Sequence, residues 1–100
     1  MSIKSVFDAI IRRCNFVRKC DKLVTECIKF CNTMADTEPT PESDKKFDDL
    51  WERLFRLRKS LQEFRSMTAA HKRLYGRNID MALMGIDAVR YGDYDLYDLH

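Results

Sequence analysis

The hydrophobic pattern along this chain follows the seven-residue repeat of amphipathic helices. Over residues 47–75, nine positions follow one another at alternating spacings of three and four, and seven of them are apolar, while charged residues fill most positions between them. Neither Gly nor Pro interrupts this stretch before Gly76. The pattern predicts a long helix over about 41–75, in which Thr40 is the N-cap, Pro41 is the first helical residue and Gly76 is the C-cap.

Two further stretches have helical spacing. Residues 3–34 carry an apolar face that is wider than a two-stranded coiled coil needs, which indicates that two neighbouring helices cover it. Residues 79–91 form a shorter helical pattern, for which Asn78 is the predicted N-cap. The pattern predicts residues 35–44 as the link between the long helices, because the residue before each proline is pushed out of the α region. Residues 92–100 form a tail of acidic and aromatic residues.

The expected fold is therefore all-α, with residues 1–100 as a single domain. The long helices 3–34 and 41–75 form an antiparallel hairpin, and the short helix 79–91 returns along the end that holds Ile3 and Ile10. That helix is too short to cover the half of the hairpin near the link. The apolar residues predicted to lack cover there form a partner-binding surface: Phe16, Leu23, Phe30, Trp51 and Phe55. A second copy of the chain would complete a four-helix core, and another protein is the alternative.

Charge is unevenly distributed although the net charge is only +2. Residues 53–77 carry 8 basic and 1 acidic side chain, and residues 35–52 carry 2 basic and 7 acidic ones. The hairpin aligns basic residues of both long helices in one patch: Arg12, Arg13, Arg18, Lys19, Lys22, Arg56, Arg58, Lys59 and Arg65. The patch is interpreted as a solvated face, an acidic-protein surface or a nucleic-acid surface. No zinc-finger or RNA-recognition motif supports the last interpretation.

Four cysteines lie in the first predicted helix: Cys14, Cys20, Cys27 and Cys31. Side chains along one helix point in parallel directions, which is poor geometry for disulfides. The pattern favours small buried hydrophobic residues in a reducing compartment, and so a cytoplasmic protein. A zinc site would need four ligands, and no histidine is expected near the cysteines. An intermolecular disulfide or a redox switch is the remaining interpretation.

No motif for catalysis is recognisable. The chain lacks a Gly-rich phosphate loop, a GxSxG sequence and an HExxH sequence. A Cys–His pair would require Cys14 beside His71, but the predicted alignment places His71 level with Phe7, about two turns away, and packs it in the helical seam. No catalytic residue, metal, cofactor or small-molecule substrate is therefore expected. No membrane contact is expected either, since no run of eighteen apolar residues exists.

The C-terminal tail alternates acids with apolar residues. We predict that its anchor is drawn from four side chains: Tyr94, Leu96, Tyr97 and Leu99. Burial of large side chains stabilises docking more than exposed ion pairs do. The tail is expected to dock either on its own bundle near Ile3 and Ile10 or on a partner.

The sequence thus predicts a non-enzymatic protein–protein interaction module. Such a module would be a small helical regulator or inhibitor, of the kind that phage and viral genomes encode, and would bind itself or a larger partner through an apolar helical face flanked by basic residues. The alternative is a helical nucleic-acid-binding protein that uses the basic patch.

Overall fold

Three helices make up nearly all of the part of the chain that the structure describes. The computed structural model describes residues 3–35, 37–65 and 67–91. Helix α1 spans Ile3–Met34, α2 spans Pro41–Glu63 and α3 spans Ala69–Tyr91, and these described residues contain no β-strand. The all-α prediction is confirmed, and α1 has its predicted bounds.

The start of α2 is fixed by a reciprocal cap. The backbone N–H of Ser43 donates to the Thr40 hydroxyl at 3.1 Å, and the backbone N–H of Thr40 donates to the Ser43 hydroxyl at 2.8 Å. Pro41 follows as the first helical residue, where its missing N–H costs nothing. The predicted N-terminus of this helix is confirmed.

The predicted extent of the second helix to residue 75 is wrong, because α2 ends at Glu63. Phe64 is in an extended conformation, with φ −78° and ψ 108°. Thr68 then starts α3: its hydroxyl accepts the backbone N–H of His71 at 3.2 Å, and its carbonyl accepts that of Lys72 at 3.0 Å. A threonine side chain that can cap a new helix competes with continuation of the old one.

The third helix is accordingly longer than the predicted 79–91. It runs through Gly76 and Asn78, so Gly76 is not a C-cap and Asn78 is not an N-cap. Gly76 faces α2, and a Cβ atom built on it would lie 3.6 Å from Cδ2 of Leu61. The packing of a long α3 thus overrides two local signals of a helix boundary, the C-cap glycine and the N-cap asparagine.

The core lies along one seam of each helix and is almost wholly apolar. Its fully buried large side chains are Phe47, Leu50, Leu54, Ile79, Ile86 and Cys27. Two ring contacts join α1 to the α2 region: Phe30 with Phe47 at 4.8 Å between centroids, and Phe16 with Phe64 at 5.0 Å. Phe64 therefore leaves the helix to close one end of the core.

Helix α3 packs against both other helices and returns toward the link between α1 and α2. Arg58 pairs with Asp80 at 2.9 Å, and Arg90 near the end of α3 pairs with Asp48 near the start of α2. The Arg90 guanidinium also lies 5.9 Å from the ring centroid of Phe47. The prediction that the third helix covers the end holding Ile3 is wrong, because it leads away from that end.

Candidate interaction surfaces

The first turns of α1 extend beyond the rest of the bundle. At 1.5 Å per residue, the 32 residues of α1 span about 48 Å and the 23 residues of α2 about 35 Å. Phe16 already lies level with Phe64, one residue past the end of α2. We name residues 3–11 the α1 arm. The exposed large apolar side chains of the arm are Ile3, Val6, Phe7, Ile10 and Ile11.

The predicted partner-binding surface is largely covered within the chain. Leu23 is only 6% exposed, which places it in the core. Phe16 and Phe30 are half-buried against Phe64 and Phe47. The expectation that these three α1 residues remain uncovered is wrong, because Leu23 is buried in the core, Phe16 packs against Phe64 after α2, and Phe30 packs against Phe47 of α2.

Trp51 and Phe55 remain exposed on α2, as the prediction required. Their rings stack at 5.3 Å between centroids with an interplanar angle of 7°. Trp51 is 39% exposed and Phe55 is 48% exposed. Because each ring covers one face of the other, this pair presents less free apolar surface than two isolated aromatic residues.

A shallow apolar groove runs between α1 and α3. Val24, Cys27 and Cys31 of α1 and Ala82 and Gly85 of α3 line a volume of about 350 Å³. The small side chains of α3 leave the groove open, since nothing lies within 4 Å of a Cβ atom built on Gly85. At the rim of the groove stand two residues that are more than half exposed: Ile28 at 52% and Met81 at 61%.

The three helices segregate charge between the two ends of the bundle. The end that holds the α2–α3 turn, residues 3–22 and 53–77, carries 14 basic and 3 acidic side chains, net +11. The other end, residues 23–35, 37–52 and 78–91, carries 4 basic and 9 acidic ones, net −5. We name these the basic end and the acidic end. Sequence counts alone do not show this polarity, because it depends on the direction of α3.

The predicted basic patch divides among several faces of the basic end. Arg12 and Arg65 line one depression, whereas Arg13 and Arg18 line another beside α3. Arg56 pairs with Glu52, and Arg58 turns toward Asp80. The patch residues that form no ion pair with another described residue are Arg12, Arg13, Arg18, Lys19, Lys22, Lys59 and Arg65.

Ion pairs tie α2 to each of its neighbours. On the α1 side, Glu26 accepts from Lys46 at 3.1 Å and from Arg53 at 3.3 Å. Hydrogen bonds from Arg53 and Lys46 lower the pKa of Glu26. On the α3 side, the hydrogen bond to Asp48 raises the pKa of Arg90. These ion pairs join α2 to α1 and to α3, and none of them involves a residue of the arm.

The cysteines occupy three different environments. Cys20 and Cys27 are buried, Cys31 is half-buried and Cys14 is exposed, and all four are free thiols. Burial raises the pKa of Cys20 to about 11 and that of Cys27 to about 12, and it also raises the pKa of Cys31. The prediction of small buried hydrophobic residues is confirmed for Cys20 and Cys27 and is wrong for Cys14.

Cys14 and His71 line the same shallow depression, contrary to the predicted separation of two turns. His71 is exposed near the start of α3, and its ring lies 6.5 Å from that of Tyr75. No hydrogen bond joins Cys14 to His71 among the described contacts. The earlier break after α2 explains the new proximity, since it moves the whole of α3 along α1.

Two structural findings bear on membranes and metals. Among the residues that the structure describes, no helix is long and apolar enough to cross a membrane. Within those same ranges, no group of three His, Cys, Asp or Glu side chains lies close enough together to hold a metal ion. The predicted tail anchor, Tyr94, Leu96, Tyr97 and Leu99, lies outside the described residues.

Comparison with known proteins gives no relative. No protein family, no curated protein and no solved structure matches this chain.

Proposed function

We propose that this chain is a non-enzymatic protein-interaction module that binds through the α1 arm. One observation carries the proposal: five large apolar side chains are exposed together on a helical segment that extends past the bundle. Phe7 is 58% exposed, Ile11 is 55% exposed and Ile3 is 76% exposed. Contiguous apolar surface of this kind marks interaction sites in proteins that otherwise bury such side chains.

The proposed mode of binding is a helix laid into a groove. Residues 3, 7 and 11 follow one another at helical spacing, as do residues 6 and 10, so the apolar side chains form two adjacent rows. Amphipathic helices with this spacing insert their apolar rows into grooves on partner surfaces. The protein would act as a small cytoplasmic regulator or inhibitor whose helical arm is covered by its partner.

We further infer that α1 and α2 form the antiparallel pair that the sequence predicts. The support is the order of the ring contacts: Phe16 meets Phe64 and Phe30 meets Phe47, so numbers rise along α1 as they fall along α2. Such a pair holds the arm at the end remote from the α1–α2 link.

A matched pair of variants tests the arm. Phe7→Lys with Ile11→Lys places two charges on it, and Leu74→Lys with Met84→Lys does the same on the exposed face of α3. We expect complexes of the chain, with itself or with a purified partner, to be lost in the arm variant and kept in the α3 variant. Sedimentation velocity at micromolar concentration measures both. Equal binding by the wild type and the folded arm variant would refute the proposal.

Nucleic-acid binding is a second candidate, favoured by the net charge of +11 at the basic end. Unpaired Arg and Lys side chains release counterions from phosphates when they bind, so affinity would fall steeply as salt rises. We expect Arg12→Glu with Arg65→Glu to abolish retardation of a duplex or single strand at low salt, while Lys45→Glu at the acidic end leaves it unchanged. Absence of retardation by the wild type at low salt would exclude this candidate.

A further inference from the structure

We propose that the arm binds a second copy of this chain, in an antiparallel two-fold dimer in which α1 lies along α1 of the partner copy. The inference rests on the proposed function of the arm and names its partner. In this arrangement the arm of each copy covers the rim of the α1–α3 groove, near Ile28, of the other copy. The two contacts are identical, as two-fold symmetry requires.

An exposed stripe along α1 carries the dimer. Seven residues follow one another at alternating spacings of four and three, and every one of them is exposed: Phe7, Ile11, Cys14, Arg18, Asp21, Thr25 and Ile28. This is the spacing of a coiled-coil seam. Cys14, Arg18 and Ile28 border depressions beside α3 but stay exposed, so α3 leaves the stripe open. The stripe is therefore a helix-pairing surface for which the chain supplies no cover among its described residues.

The stripe is self-complementary when read in opposite directions. Placing Ile11 opposite Ile28 of the second copy also places Cys14 opposite Thr25 and Arg18 opposite Asp21. Each of these contacts then occurs twice, apolar on apolar at both ends and with two ion pairs across the centre. Within one chain, neither Arg18 nor Asp21 forms an ion pair with another described residue.

Charge selects the antiparallel direction. The basic end of one copy, net +11, lies beside the acidic end of the other, net −5. A parallel dimer would place the two basic ends side by side, where like charges repel. The groove rim lies in the acidic end, so it attracts an arm that leads into the basic residues Arg12 and Arg13.

Disulfide trapping tests the alignment directly. Thr25→Cys should form a disulfide with the native Cys14 of the second copy under mild oxidation, giving a covalent dimer on a non-reducing gel. Residues 14 and 25 of one helix are about 16 Å apart, too far for a bond within one chain. Thr33→Cys is the matched control: it makes the same change eight residues, about 12 Å, out of alignment and should not cross-link.

The wild type distinguishes the two directions by itself. In the antiparallel dimer the two copies of Cys14 are about 16 Å apart and do not cross-link, whereas a parallel dimer brings them together. Covalent dimers of the wild type through Cys14, or equal cross-linking of the Thr25→Cys and Thr33→Cys variants, would overturn the proposal.

Exchange of the central charges gives a second test that does not depend on cysteine. Arg18→Asp should weaken the dimer at least tenfold in sedimentation equilibrium, and Arg18→Asp with Asp21→Arg should restore it. Helical circular dichroism of both variants must match the wild type. A double variant no tighter than the single one would overturn the pairing. A chain that is monomeric at 100 µM or so, with its arm still binding a different protein, would overturn the dimer and leave the proposed function standing.

Discussion

At the scale of single residues, burial keeps the thiols of Cys20 and Cys27 protonated at neutral pH. Loss of solvation disfavours the thiolate and raises the pKa of both groups. With a pKa of about 11, only about one Cys20 side chain in a thousand is a thiolate at pH 8. These thiols serve as small apolar side chains between α1 and its neighbours.

We therefore predict one fast-reacting thiol in the native protein. With Ellman's reagent at pH 8, Cys14 should react at least a hundred times faster than Cys20 or Cys27, because it alone is exposed. Cys14→Ser should remove the fast phase, and urea should make all remaining thiols fast. A fast phase that survives Cys14→Ser would contradict the assigned burial.

The Glu26 carboxylate provides a pH-dependent contribution to stability. Its pKa is lowered in the folded state, so its stabilisation is present above its unfolded pKa, near 4.5, and is lost as the pH falls through the lower folded pKa. The side chain of Glu26 is 34% exposed and that of Arg53 is 44% exposed, so solvent screens the attraction.

Glu26→Gln should lower the free energy of unfolding by about 0.5–1 kcal/mol at pH 7. The difference between variant and wild type should shrink as the pH falls below the unfolded pKa near 4.5 and then through the lower folded pKa, where Glu26 takes up its proton in the folded state as well. Urea denaturation at pH 7 and pH 3 measures this difference, with Glu63→Gln as the control, because Glu63 is exposed and forms no ion pair with another described residue. A difference that is equal at both pH values would show that charge is not the cause.

At the scale of elements, Gly76 lies inside α3 and not at the end of a helix. A glycine in a helix interior lowers stability by about 0.5–1 kcal/mol relative to alanine, because its backbone loses more freedom on folding. The Cβ atom of an alanine would meet Leu61 at 3.6 Å, an ordinary van der Waals distance. The helix therefore has room for a side chain here.

Gly76→Ala should stabilise the protein by about 0.5–1 kcal/mol. The opposite result is expected if Gly76 ends a helix in the left-handed conformation, where a Cβ atom is strained. Chemical denaturation decides between the two, and Gly85→Ala, which also has open space, is the reference for a helix-interior glycine in α3. Destabilisation by Gly76→Ala alone would contradict the continuous α3.

The heptad pattern predicted which residues pack but not where one helix ends and the next begins. The spacing of Phe47, Leu50 and Leu54 predicts that they lie in the seam, and all three are buried in the structure. The break after Glu63 left a weaker signal: the seam positions Thr68 and His71 are polar, and Thr68 can cap a helix. The heptad spacing continues unchanged through the break, so periodicity alone does not show where α2 ends.

The exposed surfaces were less predictable than the core because they depend on the direction of α3. A third helix over Ile3 is expected to cover the arm and leave Leu23 exposed, whereas in the structure the arm is exposed and Leu23 is buried. Trp51 and Phe55 stay exposed in either arrangement, since both lie off the seam of α2. Sequence periodicity identifies apolar faces, but only the path of the chain decides which face stays open.

At the scale of the whole molecule, the segregation of charge opposes the stability of the isolated bundle. The N-termini of α1 and α3 carry the positive ends of their helix dipoles, and neither helix has an acidic residue in its first turn. Both N-termini lie in the basic end. Like charges repel one another within the isolated chain. The same charges are attracted to an oppositely charged surface, so the charge pattern favours association.

The arm itself should be dispensable for folding, because it extends past the helices that would bury it. Removal of residues 1–8 deletes Ile3 and Phe7, which are exposed, and no residue of the core cluster. We expect the free energy of unfolding of the truncated chain to lie within about 1 kcal/mol of the wild-type value at low micromolar concentration, where mass action disfavours association. Truncation of a buried residue by Leu54→Ala should instead cost about 2–5 kcal/mol.

The same measurement at higher concentration separates folding from binding. If the arm joins two copies, the melting temperature of the wild type rises with protein concentration, whereas that of the variant Phe7→Lys with Ile11→Lys, which alters the Ile11–Ile28 contact, stays constant. Thermal melts followed by circular dichroism over a hundredfold range of concentration supply both curves. Loss of stability at low concentration on removing residues 1–8 would place the arm in the fold of the monomer, and its exposed apolar rows would then need no partner to explain them.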